Sequence, residues 1–450
     1  MAAVLATTAV AAALLPSTAA TADPAADPAP ALRSPSDAAA TWMASQLTED
    51  THAKGDQGLT SDIVLALAST GSGGDAADRA TDWLARNADD YIDRGQPGNV
   101  FAGGVAKLAL VASVEGRDPG DFGGHDLTGL LLDRMQEDGR FRDSPLGQDI
   151  SNQFTQSLAV LALDRSGDLP EAAGDYLVST QCTDGGFPLF FKDDPADCTS
   201  HTDSTGLGVQ ALVAADRDAA AEKALDWLED EQLDGGGFRD NGFGTPPANS
   251  NSTALAVQGL TAGGRVTAAA EGVAWLRTVQ VGCGAPADDR GAVGYDKPVV
   301  NGMALRATAQ VVPALAGKSL VRIDGRNAAP GLKPVDCALD DGSSGGSSGD
   351  TGGDTGGASS GGDTAGENGS GGGDPAPSPS PGGTSGGTAG DASGSGASGS
   401  GGFRPDGGSP AGSLADTGSA SLLLGAGSAT LLLTGGAVFL LSRPRRRQGI

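Results

Sequence analysis

Residues Ala219 to Leu260 read AAAEKALDWLEDEQLDGGGFRDNGFGTPPANSNSTALAVQGL. Leu225, Trp227 and Leu228 form an apolar stripe at helical spacing, and Glu229, Asp230 and Glu231 belong to the wet face. Gln232 closes this helix. Asp234-Gly235-Gly236-Gly237 breaks it, because glycine enters positive φ freely. Phe238 is expected to plug the helix pair. Asn251-Ser252-Thr253 reads as an N-cap cluster for a second helix, Ala254 to Leu260. That helix is apolar nearly all round, so burial on both sides is expected.

The same unit recurs six times between about residues 37 and 317. First helices carry Trp42, Trp83, Leu132, Leu177, Trp227 and Trp275. Gln46, Asn87, Gln136, Gln181, Gln232 and Gln280 follow each of them after four or five residues. Asp138-Gly139-Arg140-Phe141 and Asp184-Gly185-Gly186-Phe187 repeat the loop. Elsewhere it shrinks to Gly58-Leu59, Gly98 to Phe101, and Gly294-Tyr295. Second helices are expected at 63–68, 105–111, 157–163, 207–213, 254–260 and 304–311. A period of about 41 to 51 residues with two helices each is a repeat architecture. The second helices are the more apolar and no polar capping repeat is evident. Both facts favour a closed ring with the second helices inside.

The Trp-Leu-x3-Gln helix, the Gly-Gly-Phe loop and the Ser-Thr-x-Ala-Leu inner helix together resemble the alpha/alpha toroid superfamily. Its members include prenyltransferase beta subunits, squalene cyclases, thioester domains and cobalamin carriers. The resemblance covers roughly 280 residues and implies an all-α toroid of about six hairpins in a domain of residues 37–340, without implying an activity. The activities of its members leave no clear trace. An Asp-x-Asp-Asp acid of the cyclase kind is missing, and aromatic residues make up 4% of the chain, too few for a carbocation chamber. The histidines are His52, His125 and His201, so no histidine follows Cys283 or Cys337 to complete a prenyltransferase zinc site. Gly282-Cys283-Gly284 is similar to the start of a thioester motif, but Ala285 and Pro286 follow where that bond needs Gln. Asp197, Cys198 and His201 form the one metal-like cluster, weighed against a disulfide loop. No cofactor or metal is expected.

The flanks place the domain. Residues 1–22 have an apolar core and end in Ala20-Thr21-Ala22, which fits signal cleavage between Ala22 and Asp23, although no basic residue precedes the core. Residues 23–36 read as a linker rich in Pro, Ala and Asp. Four cysteines in an exported chain imply two disulfides in one of three pairings, of which Cys182–Cys198 with Cys283–Cys337 is favoured. Residues 341–413 are almost all Gly, Ser, Thr, Asp, Ala and Pro, and read as a disordered tether. Leu414-Ala415-Asp416-Thr417-Gly418 follows, then a 22-residue uncharged run, 420–441, then Arg443, Arg445, Arg446 and Arg447. The run is long enough to span a bilayer, and the arginines hold its end inside. In this order the three parts closely resemble a sortase sorting signal. The resemblance implies cleavage after Thr417, transfer to peptidoglycan, and a secreted, cell-wall-anchored location of the Gram-positive type.

The chain has 56 acidic and 29 basic residues and a formal charge of −27. Nucleic acid is therefore excluded as a partner. The expected partners are sortase, peptidoglycan and an extracellular ligand, with membrane contact only through the 420–441 span. The loops entering the inner helices mark the ligand site, at Asn152, His201, Asp203, Asn251 and Asn301. N-capping is the alternative role for such residues. Three functions remain: a binding or adhesion module, which leads; a surface enzyme such as a polysaccharide lyase or hydrolase; and a cobalamin or small-molecule carrier.

Overall fold

Each expected unit contributes one helix to an outer layer and one to an inner layer. The computed structural model describes residues 31–144 and 148–337. The expected leader with its Ala22–Asp23 junction, the expected tether and sorting pentapeptide, and the 420–441 run lie outside these residues, as does the whole second unit, Asp340–Ser409.

The outer helices are α1 (Pro35–Ser45), α3 (Gly74–Arg86) with the short α4 (Ala88–Ile92), α6 (Leu127–Leu132), α8 (Glu171–Ser179), α10 (Asp218–Glu231) and α12 (Val266–Thr278). The inner helices are α2 (Gln57–Thr70), α5 (Ala102–Val114), α7 (Gln153–Ser166), α9 (Thr202–Ala214), α11 (Ser250–Ala262) and α13 (Ala304–Leu315). Successive inner helices pack on one another, and α13 packs back on α2. The fold is therefore a closed α/α toroid. Burial follows the sequence pattern. Residues Ser252 to Leu260 of α11 are buried on every face, whereas α10 buries Leu225, Trp227 and Leu228 and exposes Glu229 and Asp230.

Three of the six repeated residues are joints of the ring, whereas Gln46, Asn87 and Gln136 bond within their own units. Gln181 Nε2 donates to Gly185 O of its own loop at 2.8 Å and to Ala220 O of the next outer helix at 2.9 Å. Gln232 does the same to Gly236 O and Ala268 O, both at 2.9 Å. Gln280 closes the circle, donating to Gly291 O at 3.1 Å and back to Pro35 O at 2.8 Å. These amides satisfy carbonyls that would otherwise be stranded between repeats. In the third unit Gln156 of the inner helix takes this role, donating to Gly139 O and Ala173 O.

The loop glycine has two reasons to be glycine. Gly236 has φ +82°, and a Cβ there would overlap the Glu271 carbonyl of α12. Gly237 lies beneath the Trp275 ring, as Gly186 lies beneath Trp227. The following Phe187 and Phe238 are fully buried, and their N–H groups donate to Thr205 Oγ1 and Thr253 Oγ1 of the inner helices at 2.9 and 2.8 Å. Two assignments from sequence need correction. Gly58-Leu59 lies in the first turn of α2 instead of a loop. In the sixth unit the loop position is held by Gly291 to Val293, where Val293 N donates to Thr308 Oγ1, and not by Gly294-Tyr295.

One end of the ring is stoppered. After α13, residues 317–337 cross the C-terminal ends of the inner helices. Leu320 N donates to Gln210 Oε1 at 2.8 Å, and Arg165 Nη2 donates to Leu320 O and Ile323 O, each at 2.7 Å. Gly325 N bonds Val114 O and Ala329 N bonds Gly71 O, both at 2.9 Å. Leu320 and Ile323 are buried. The segment ends at Cys337, bonded to Cys283. Cys182–Cys198 forms the second disulfide and clamps the loop between α8 and α9. Each such link stabilises a fold by about 2–4 kcal/mol.

The axis is filled. Gln258 Nε2 donates to Gln310 O at 3.1 Å, and Asp62 pairs with Lys107 at 2.7 Å. The void between Asp62, Leu65, Gln258, Gln310, Pro313 and Leu320 is about 10 Å³, room for one water at most.

Candidate site at the inner-helix mouth

The N-terminal ends of the inner helices form the opposite mouth, and the loops there are stitched together around the ring. Ser144 Oγ receives Val100 N at 3.1 Å, joining the loops before α5 and α7. Gln153 N donates to Leu189 O at 3.1 Å, Thr202 N to Asn241 Oδ1 at 2.9 Å, and Ser250 N to Tyr295 O at 2.7 Å. Arg306 and Asp56, 3.2 Å apart, join α13 to α2.

The expected site residues divide on this mouth. Asn152 is the N-cap of α7: its Oδ1 accepts from Phe154 N and Thr155 N at 3.0 and 3.2 Å. His201 is the N-cap of α9 and is 2% exposed. Asp203 lies in the first turn of α9 and is 1% exposed. Asn251 does not cap α11; Asn249 does, with Oδ1 accepting from Ser252 N at 2.9 Å. Both asparagines precede the same apolar run, and only the turn of the incoming chain separates them. Asn301 is exposed and accepts from Met303 N at 2.9 Å, ahead of α13.

The structure thus brings His201 and Asp203 together and adds Asp240, Ser252 and Tyr295, which the motif reading did not assign to a site. His201 Nε2 meets Asp240 Oδ1 at 3.0 Å, while its Nδ1 accepts from Ser204 N at 3.4 Å. Asp240 Oδ1 also accepts from Gly242 N at 3.1 Å, and a Cβ at Gly242 would press on the His201 ring. The 239–248 loop is therefore seated directly over the histidine. A sequence signal did exist for Asp240: it opens a polar turn, Asp240-Asn241-Gly242, and it follows Phe238-Arg239 as Asp143 follows Phe141-Arg142 in the third unit.

The electrostatics of the cluster are set by burial. Loss of solvent pushes the Asp203 carboxyl up to about 7, against the lowering effect of His201 and a hydrogen bond from Ser252. Burial works against the His201 imidazolium, but the Asp240 hydrogen bond and the Asp203 charge outweigh it, so the group lies above its ordinary value. Burial, with the charges of Asp203 and Asp240, raises Tyr295 to about 12. Asp203 Oδ1, Asn251 Oδ1 and Ser250 Oγ are buried atoms with no hydrogen-bond partner. The Asn251 oxygen is an acceptor only, and so is the Asp203 oxygen when ionised, so the mouth then offers unmet demand for donors. On the loops around it Phe190, Val299, Val300 and Met303 are exposed. A buried carboxyl that titrates near neutrality, beside an imidazole and a phenol, can exchange protons or hold a donor-bearing group.

Metal-like chemistry at Asp197 and Cys198 does not arise, since Cys198 is bonded to Cys182. Among the described residues no cluster of His, Cys, Asp and Glu has the geometry of a metal site, and no helix is long and apolar enough to cross a membrane.

No protein-family model matches the chain, and no curated protein matches it. Solved structures do. The ent-copalyl diphosphate synthase from Streptomyces platensis is 18% identical with a TM-score of 0.42; the match covers 58% of this chain and spans 50% of that one. The apo type II terpene cyclase from Scytonema is 15% identical with a TM-score of 0.48, over 63% of this chain and 96% of the cyclase. The GH76 alpha-mannanase from Bacteroides thetaiotaomicron is 11% identical with a TM-score of 0.44, over 63% and 94%. At these values the likenesses carry no argument about activity.

Proposed function

We propose that the chain is a cell-wall-anchored surface protein whose filled toroid binds an extracellular ligand at the rim of the inner-helix mouth. The filled axis carries this reading. A void of about 10 Å³ leaves no chamber for a cobalamin-sized cargo, and the opposite mouth is occupied by residues 317–337. What the ring offers a partner is its rim, whose loops carry both buried acceptors and exposed apolar residues. Anchoring rests on the order of Leu414–Gly418, the 420–441 run and the terminal arginines. The two disulfides fit an oxidising, extracellular setting.

The unmatched acceptors favour a ligand that donates hydrogen bonds, such as an amine or a saccharide. A thermal-shift panel of polyamines, amino sugars and wall glycan fragments on the full exported chain tests this. A ligand at 100 times its Kd stabilises the native state by about 2.7 kcal/mol. At least one such compound is expected to raise the melting temperature of the wild type and leave the Asn251→Asp/Met303→Glu double variant unmoved. A panel without any shift, or shifts shared by the variant, removes the rim as the site.

An acid–base enzyme on the same rim is the second reading, favoured by the Asp203 carboxyl near 7 beside His201 and Tyr295.

A further inference from the structure

Lys107 is the one charged residue of inner helix α5, and α2 places Asp62 opposite it. Lys107 Nζ lies 2.7 Å from Asp62 Oδ1, and the two side chains are 0% and 2% exposed. Nζ is also held by Gly58 O at 3.4 Å. A fully buried lysine at the centre of a ring demands a reason, because a dry ion pair rarely recovers the cost of removing both charges from water. The position is also mechanical: the α2–α5 pairing is the sparsest of the six inner-helix pairings. A link there would join the first two units across their weakest seam.

We propose that Lys107 and Asp62 condense to an intramolecular isopeptide bond across the α2–α5 seam. The neutral amine attacks Asp62 Cγ and a C–N bond forms. The C–O bond to the carboxyl hydroxyl breaks, and that hydroxyl leaves with one amine proton as water. The amide nitrogen keeps its second hydrogen, so atoms and electrons balance without an oxidant, reductant or co-reactant. Both groups must be neutral to react, and the site favours that state. Burial pushes the Asp62 carboxyl up and the Lys107 amine down, each opposed by the charge of the other. In water an amine and an acid are held apart from condensation by their ionisation. In a dry site that penalty on the amide falls away, and the released water gains freedom. Asp56, paired with Arg306 at 3.2 Å, is the next carboxylate whose charge reaches both groups.

Tryptic mapping of the full exported chain, with cysteines reduced and alkylated, decides the matter. The expected result is a branched peptide joining residues 55–79 to residues 95–117, lighter than the two together by one water, with no cut after Lys107. Lys107→Arg keeps the charge but cannot condense, and is expected to yield residues 55–79, 95–107 and 108–117 as separate peptides. Wild-type peptides of full mass, with cleavage after Lys107, would show an ordinary ion pair and overturn the proposal. Because the wild type alone gives that answer, poor folding of the variant does not weaken the test.

Discussion

Deletion of residues 219–263 is expected to abolish cooperative folding of the whole domain. The excised piece is one full unit, α10 with α11 and their loop. In an open solenoid the neighbours would close up and unfolding would lose only one repeat's share, since each repeat contacts its two neighbours alone. Here α9 and α13 both pack against α11, and α13 must also reach α2. With one unit gone, five units would have to close a circle whose joints are spaced for six. Gln181 would lose Ala220 O as its acceptor, and the Gln280–Pro35 link would be pulled out of reach. Calorimetry distinguishes the cases. A single sharp transition with a modestly smaller enthalpy would contradict the closed ring; loss of the transition is the expected result.

Asp203→Asn is expected to flatten the pH dependence of stability by up to roughly 4 kcal/mol. The folded carboxyl titrates near 7 and the unfolded one near its model value of 3.8. Between those values the folded chain holds the proton that the unfolded chain has released. Folding then takes up a proton, so the contribution of Asp203 is most favourable below about 4 and is lost as pH rises to about 7. His201, held above its ordinary value, contributes in the same sense at higher pH. Glu115, raised to about 7 by burial, adds a parallel slope that the variant keeps. The informative quantity is therefore the difference between wild type and variant, read from urea titrations at pH 4.5 and pH 8. Identical slopes in the two proteins would show that Asp203 is charged and solvated in the native state.

Much of the ring was legible from spacing, because the same physical joint recurs. A glutamine near the end of five of the six outer helices, a glycine forced to positive φ and a buried phenylalanine leave the same mark in several units. The first and second units were harder. There the loop glycine is absent or displaced, and Gly58 was drawn into a helix because Asp56 caps it through Leu59 N at 2.9 Å. Of the stopper formed by residues 317–337 only the Cys283–Cys337 link left a trace, since its other contacts are hydrogen bonds to inner-helix residues far away in sequence. The mouth cluster was half visible. His201 and Asp203 stand beside an obvious helix start, but Asp240 and Tyr295 come from other units and meet them only through the circle. Lys107 was readable and overlooked: a lysine inside the apolar run GGVAKLALV needs a buried partner, and Asp62 stands at the same depth of the neighbouring inner helix.

Surface display is tested most directly by the C-terminal residue of the mature protein. On the proposed function, the apolar run would halt export with Arg443 to Arg447 inside, because moving those charges through hydrocarbon is costly. That pause would hold Leu414 to Gly418 outside, where a transpeptidase thiolate could attack the Thr417 carbonyl and a wall amine could release it. Mass spectrometry of protein released from isolated walls by a muramidase is the measurement. The expected product ends at Thr417 in an amide to a peptidoglycan fragment and lacks residues 418–450, and Thr417→Ala moves the chain to the membrane fraction. Wild-type chain extracted intact by detergent, with Arg443 to Ile450 still attached, would contradict the account and leave a simple membrane span in its place.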